Sequence, residues 1–203
     1  MSAELGLRER KKRQTYRAIS EAAIALFLDK GFDAVSVAEV AAAAEVSKPT
    51  LFRYFPAKED LVVHRFADHE DEFARVVAGR GDASPLDALH RHHLDGLDRR
   101  DPVTGLSDEP GVLSFMRLLY GTPSLVARMQ TYQQRSEEAL ARELGDGLAG
   151  RLAAAQVVAV LRVLALENYR RIDAGEALAV VEPDARAAAG LAFRQLARGV
   201  EAG

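Results

Sequence analysis

Cysteine is missing from all 203 residues, which excludes disulfides, thiolate nucleophiles, cysteine-held metals and thiol-based redox sensing together. That absence fits a reducing compartment, and the cytoplasm is the default placement. Also missing is any uninterrupted apolar run of about 18 residues, and no apolar segment of the kind a secretory signal requires follows the charged, polar N-terminus. The sequence therefore predicts no membrane partner. Charge of one sign is lacking too. With 27 Lys+Arg against 30 Asp+Glu the net charge is −3, too mild to drive general adhesion to nucleic acid. No nucleophile elbow, P-loop or H-E-x-x-H run is present, so the sequence nominates no catalytic residue, no cofactor and no enzyme activity.

What remains is helical. Hydrophobic residues make up 48% of the chain, enough for one small and one larger domain. Beyond Pro56 no segment alternates as a strand would. The periodicity predicts helices over about 58–77, 85–98, 111–119, 124–144, 148–173 and 183–200, broken by Gly- and Pro-bearing segments including Gly145-Asp146-Gly147 and Gly175 with Pro183.

The most informative stretch runs from Val37 to Asp60, VAEVAAAAEVSKPTLFRYFPAKED. Val37, Val40, Ala41 and Ala44 sit at helical spacing, and Ser36 with Glu39 spells an S-x-x-E capping box, so a helix starts at about Val37. Glu45-Val46 carries a turn. Ser47 is then an N-cap, Pro49 is tolerated in a first turn, and Leu51 with Phe55 makes the buried stripe of a second short helix. Its other face offers Ser47, Lys48, Thr50, Arg53 and Tyr54, hydroxyls and cations suited to phosphates and base edges. Upstream, Ile19, Ala22, Ala23, Leu26 and Phe27 form an apolar seam ended by Gly31, the mark of a supporting helix. Arg8, Arg10, Lys11, Lys12 and Arg13 precede it as a basic arm. Residues 1–65 carry 11 Lys+Arg against 9 Asp+Glu, or +2, whereas residues 66–203 carry 16 against 21, or −5. The layout is that of a helix-turn-helix.

The run from Thr15 to Leu61, above all ALFLDKGFDAVSVAEVAAAAEVSKPTLFRYFPAKEDL, resembles the TetR family of transcriptional regulators in its spacing of Phe, Gly, Val, Ser, Thr, Tyr-Phe and Lys-Glu-Asp. The resemblance implies an all-α homodimer. In it, an N-terminal three-helix DNA-binding domain (1–56) is joined to a larger C-terminal helical domain (57–203) that binds a small effector and dimerises. Carried across by position, contacts with a double-stranded DNA operator fall on Ser36, Val37, Ser47, Lys48, Pro49, Thr50, Phe52, Tyr54 and Lys58, beside Arg10 and Lys11 of the arm. Two positions depart from the family pattern. Glu45 stands where Gly is common, so a left-handed residue there would cost about 1 kcal/mol and a looser turn is expected. Ala57 stands where Ser or Asn commonly caps the fourth helix, forfeiting about 1 kcal/mol.

For the C-terminal part, Leu152 to Leu166 is apolar around nearly its whole circumference and must be covered on more than one side. With Ala189, Leu191, Ala192, Leu196 and Val200 of the last helix it is expected to form a four-helix interface across a two-fold axis. Phe66, Phe73, Phe115, Leu119, Tyr120, Met129, Tyr132 and Tyr169 are candidates to line an apolar effector pocket. This region also resembles, more loosely, the TetR subgroup related to the mycofactocin regulator. That implies an acyl-CoA or another hydrophobic ligand as effector.

Two patterns invite other readings. Gly145 to Gly150 spells G-x-G-x-x-G, but no strand precedes it and it reads as a helix-breaking loop. His90, His92 and His93, with His64 and His69, match no zinc spacing, and surface histidines on an amphipathic helix account for them.

Overall fold

Twenty-nine residues, Ser2–Lys30, wind into one helix, α1, so the basic segment expected as a projecting arm forms the first turns of the supporting helix. The local sequence explains this: Ala, Leu, Glu, Lys and Arg dominate residues 3–13 and no proline interrupts them. The computed structural model describes residues 2–145 and 147–198, and the side chains of residues 2–9, 11–13, 67 and 68 lie outside that description. Val200, nominated from the sequence, is therefore outside the described residues, as are the side chains of Arg8, Lys11, Lys12 and Arg13.

After α1 come α2 (Val37–Ala43), α3 (Lys48–Tyr54), α4 (Asp60–Val63), a 3₁₀ helix His64–His69, α5 (Glu72–Ala78) and α6 (Pro85–Asp98). A 3₁₀ turn Pro102–Thr104, α7 (Pro110–Gly121), α8 (Pro123–Leu144), α9 (Leu148–Asp173) and α10 (Leu178–Arg198) complete the order, with no strand among the described residues. Two compact units emerge: residues 1–67 with 114–130, and residues 68–113 with 131–203. The functional boundary read after Pro56 lies inside the first.

In the first unit, Ile19, Ala23 and Phe27 of α1 are covered, as are Val40 and Ala41 of α2, Leu51 of α3 and Phe55 just after it, with α1 packed on α2 and α2 on α3. Ser20 and Ile24 complete the buried seam, while Ala22 and Leu26 are only half-buried, a small rotation from the expected face. Gly31 stops α1 at φ +88°, its N–H donating to the Phe27 carbonyl at 2.9 Å, the simple left-handed stop. Asp60, 4% exposed, accepts a two-pronged pair from Arg128 of α8, Nε to Oδ1 at 2.7 Å and Nη2 to Oδ2 at 2.9 Å. Its Oδ2 also accepts the Ala57 N–H at 3.1 Å. That bond is the carboxylate half of a capping box; the hydroxyl half, which Ser or Asn would offer to the Asp60 N–H, is absent at Ala57.

The single helix expected over 58–77 is three pieces. At the break the Glu70 carbonyl accepts from the Ser136 hydroxyl at 3.0 Å, and Glu70 pairs with Arg135. An outside donor for that carbonyl, together with a dense run of acids and histidines, favours interruption over a continuous ladder.

The second unit packs Val77, Leu89, Leu140, Ala154, Val157, Leu161 and Phe193 into one core, and Leu97, Leu106, Ile172, Val181 and Ala185 into another. Gly105, at φ +73°, passes so close to α9 that a Cβ would lie 1.9 Å from the Ala165 carbonyl oxygen. Beside it, Asn168 donates to the Thr104 carbonyl at 2.9 Å. Helix α10 begins at Leu178, five residues before the expected start, and carries Pro183 within it. The stop lies upstream at Gly175, φ +93°, where Gly175 and Glu176 donate to Ile172 and Arg171 in a Schellman closure. Proline in the second turn removes one backbone donor without ending the helix. Helix α9 is long and apolar enough by length and composition to cross a membrane. Arg151 and Arg162 interrupt it, and Ala154, Val157 and Leu161 pack into the core of this unit.

Candidate nucleic-acid interface

The α2–α3 turn is tighter than its sequence suggested. Glu45 adopts φ +53°, and the Glu45 and Val46 N–H groups donate to Ala42 (3.1 Å) and Ala41 (2.9 Å). This is a full Schellman closure around a non-glycine residue. The expectation of a looser turn is corrected: two hydrogen bonds and the Ala41–Val46 spacing hold the strained residue rather than relaxing it. Both short helices are capped as the sequence required. Ser36 Oγ accepts from the Glu39 N–H at 3.2 Å while Glu39 Oε2 accepts from the Ser36 N–H at 2.8 Å. Ser47 Oγ accepts from the Thr50 N–H at 3.2 Å and donates to Thr50 Oγ1 at 2.9 Å.

With Leu51 and Phe55 buried, α3 turns its remaining side chains outward. Ser47, Lys48, Pro49 and Arg53 are exposed, Thr50 and Tyr54 half-exposed, and Phe52 is 46% exposed, an unusual situation for phenylalanine in a small core. Ser36 and Val37 lie at the start of α2, the first exposed and the second half-buried. Arg10 is exposed on α1. The structure thus gathers Ser47, Lys48, Pro49, Thr50, Phe52 and Tyr54 on one short helix and its cap.

Lys58 is placed differently from the others. Its ammonium donates to the Phe32 carbonyl at 2.6 Å and sits 4.3 Å from the Phe32 ring centroid and 5.6 Å from that of Phe27. This clasp ties the start of the fourth segment to the end of α1.

Tyr16 was not singled out from the sequence. Its ring stacks on Phe55 at 4.5 Å and meets Tyr54 (6.3 Å) and His64 (4.9 Å) edge-on, so it props the C-terminal end of α3. The signal was available, because Tyr16 continues the Ile19–Ala23–Phe27 seam by one more turn. Arg53 stacks over Tyr54 at 5.5 Å.

The eight effector candidates divide between the units, Tyr120 falling in the first. Phe66, Phe115, Leu119 and Met129 belong to the first, where Phe66 and Phe115 rings lie 6.4 Å apart and Arg65 covers Phe115 at 5.2 Å. Phe73, Tyr132 and Tyr169 belong to the second. Phe73 lines a cavity of about 40 Å³ within that unit, whose wall also carries His92 and His93 of α6. The reading of the α6 histidines as surface residues is corrected: His93 is 8% exposed and His90 stacks on Phe193 at 4.6 Å, because α6 packs on two sides. No group of three or more metal-ligating side chains occurs among the described residues. Within the G-x-G-x-x-G run Gly145 stands at φ +120° and Leu148 to Gly150 open α9, where a Cβ on Gly150 would lie 1.8 Å from the Gly145 carbonyl oxygen.

Comparison with known proteins places this geometry. The model of the family described as "Bacterial regulatory proteins, tetR family" matches residues 19–64. The HTH-type transcriptional regulator TcmR of Streptomyces glaucescens is 32% identical over 186 residues, covering 86% of this chain and 82% of that one. Among solved structures, NalD, the secondary repressor of the MexAB-OprM multidrug efflux pump in Pseudomonas aeruginosa, is similar with a TM-score of 0.60 at 20% identity, over 90% of this chain and 96% of that one. FadR from Bacillus subtilis, in complex with stearoyl-CoA, is similar with a TM-score of 0.53 at 17% identity, over 92% and 100%. At those identities the two structures speak to the fold.

Proposed function

The chain belongs to the TetR family and is a DNA-binding transcriptional regulator, not an enzyme; from that premise we propose that it is a ligand-responsive repressor. It binds a palindromic operator as a homodimer and is released by a small effector. One observation carries the DNA-reading part: α3 buries Leu51 and Phe55 and presents Lys48, Thr50, Phe52 and Tyr54 outward from a doubly capped frame. Ser47 and Thr50, at the N-terminal end of α3, are suited to phosphate and base edges, and Lys48 to phosphate or guanine. The Thr50 methyl suits a thymine methyl. Residues 1–56 do the reading and residues 57–203 sense and dimerise, in the cytoplasm and with no membrane partner.

The dimer reading is supported by large apolar side chains left open on α9 and α10, where Leu148, Leu152, Val163, Val180 and Leu191 are all more than half exposed. Two copies would cover them and set the two recognition helices about one DNA turn, ~34 Å, apart. Effector binding then needs only about 1–3 kcal/mol of coupling to change that spacing and release DNA. Repression is supported by the description of NalD as a repressor. The acyl-CoA reading of the effector is supported by the looser C-terminal resemblance and by the stearoyl-CoA held by FadR, and another hydrophobic ligand remains the alternative. The test is DNase protection upstream of the protein's own gene. A symmetric footprint lost on adding a medium- or long-chain acyl-CoA supports the full reading. No footprint at low ionic strength refutes it, and a footprint indifferent to the acyl-CoA series refutes that effector.

A further inference from the structure

Helix α6 points two imidazoles into the second unit, and His90 Nε2 and His93 Nε2 are the buried side-chain polar atoms without a hydrogen-bond partner among the described residues. Such atoms are few in native proteins, because a buried polar atom left unpaired loses its hydrogen bonds to water and gains none in return. His93 is more than nine-tenths covered and lines the cavity of about 40 Å³. Leu89, Leu161 and Phe73 supply that cavity's apolar wall.

The charges around it narrow the occupant. Glu72 lines the same cavity, but its carboxylate is already shared between two imidazoles, His92 Nε2 at 2.9 Å and His69 Nδ1. Asp101 Oδ1 accepts the Val103 N–H at 3.1 Å, capping the 3₁₀ turn. A cation entering would have to displace one of these pairs. An anion would face two carboxylates and a single guanidinium, Arg99, which is exposed and screened by solvent. Burial, and then the neighbouring His90 and His92, lower the His93 pKa to about 4, so the ring is neutral at physiological pH and offers no charge to an anion. A neutral imidazole nitrogen is a donor or an acceptor according to tautomer, and a hydroxyl group serves either.

We propose that this cavity is the recognition end of a binding site for an uncharged, hydroxyl-bearing molecule with an apolar body, its hydroxyl paired with His93 Nε2 and its body against Phe73, Leu89 and Leu161. The regulatory meaning rests on the effector reading above, of whose two ligand classes it takes the second, an uncharged hydrophobic molecule, in place of the anionic acyl-CoA. The cavity is small and His93 Nε2 has almost no accessible surface, so the hydroxyl reaches that nitrogen, and the apolar body enters, by displacement of the half-buried Phe73.

The experiment uses the full chain with phenol and cyclohexanol as probes, benzoate and toluene as controls, read by histidine ¹⁵N resonances and by thermal shift. Both alcohols are expected to move the His93 resonance saturably and raise the melting temperature, with benzoate and toluene doing neither at equal concentration. Phenol favoured over cyclohexanol points to an aromatic body, the reverse to an aliphatic one, and either supports the class. His93→Phe should weaken alcohol binding about tenfold, the worth of one hydrogen bond, while His93→Gln, which keeps a neutral donor and acceptor, stays within about threefold. Benzoate binding as well as phenol, or phenol binding unchanged in His93→Phe, overturns the proposal, as does a His93 resonance unmoved by either alcohol. Operator affinity is measured alongside. Alcohols that seat on His93 without altering DNA affinity uphold the site and remove its regulatory role. Operator release by another compound that survives His93→Phe upholds the effector reading and removes this site.

Discussion

At the scale of single residues, the backbone holds its clearest strain at Glu45. A side chain at φ +53° costs on the order of 1 kcal/mol, and the two turn hydrogen bonds oppose its relaxation. Glu45→Gly is expected to raise stability by about 1 kcal/mol, or roughly 2–4 °C in melting temperature, with operator affinity unchanged. Differential scanning calorimetry with a gel-shift control measures both. His93 makes an opposite prediction, one in pH. Its imidazole protonates near 6.5 when the chain is unfolded and near 4 when folded, so as pH falls the unfolded state takes up the proton first. Stability is full above about pH 6.5 and is lost between 6.5 and 4, by up to about 3 kcal/mol. Glu72, whose pKa is lowered by His69 first and then His92, adds its own loss only below its unfolded value of 4.5. Denaturant melts from pH 7.5 to 5 should show the decline, and His93→Gln should flatten it.

At the scale of elements, much was legible because the caps and stops are local. The Ser36–Glu39 box, the Ser47 cap, the Gly31 stop and the positions of α6 and α9 follow from side chains within four residues of each helix end. What escaped depends on distant partners. Nothing near Glu70 announces that its carbonyl will be taken by Ser136, so the break in the expected 58–77 helix was invisible, and so was the start of α10 upstream of Pro183. The exposed face of α3 was read in advance, but not the inward turn of Lys58 onto Phe32 or the propping by Tyr16. Nor could Asp60 be matched with Arg128, 68 residues away. That pair yields an element-scale prediction. Asp60→Asn weakens a buried two-pronged bond while leaving Arg128 in place, and should cost roughly 2–4 kcal/mol, below the fully buried range because Arg128 is one-third exposed. The double replacement Asp60→Leu with Arg128→Met should cost less than the two single changes added. Additive losses in a double-mutant cycle would show that the pair is not coupled.

At the scale of the whole molecule, the account joins a DNA-reading face to the open apolar face of α9 and α10. Leu152→Glu places a charge in the proposed dimer seam and should convert the protein to a folded monomer by analytical ultracentrifugation, with a circular dichroism spectrum like the parent's. Operator affinity should then fall by more than tenfold, since a single half-site retains only one set of contacts. A variant that stays dimeric would move the seam elsewhere. The claim on which everything else depends is that α3 reads base edges, and the most direct measurement is competition of wild type and Thr50→Ala between operator and random duplex over a series of salt concentrations. The account predicts that Thr50→Ala loses about 1–3 kcal/mol on operator, loses little on random DNA, and keeps the salt slope. Equal loss on both duplexes, or a wild-type protein that prefers neither, would contradict it.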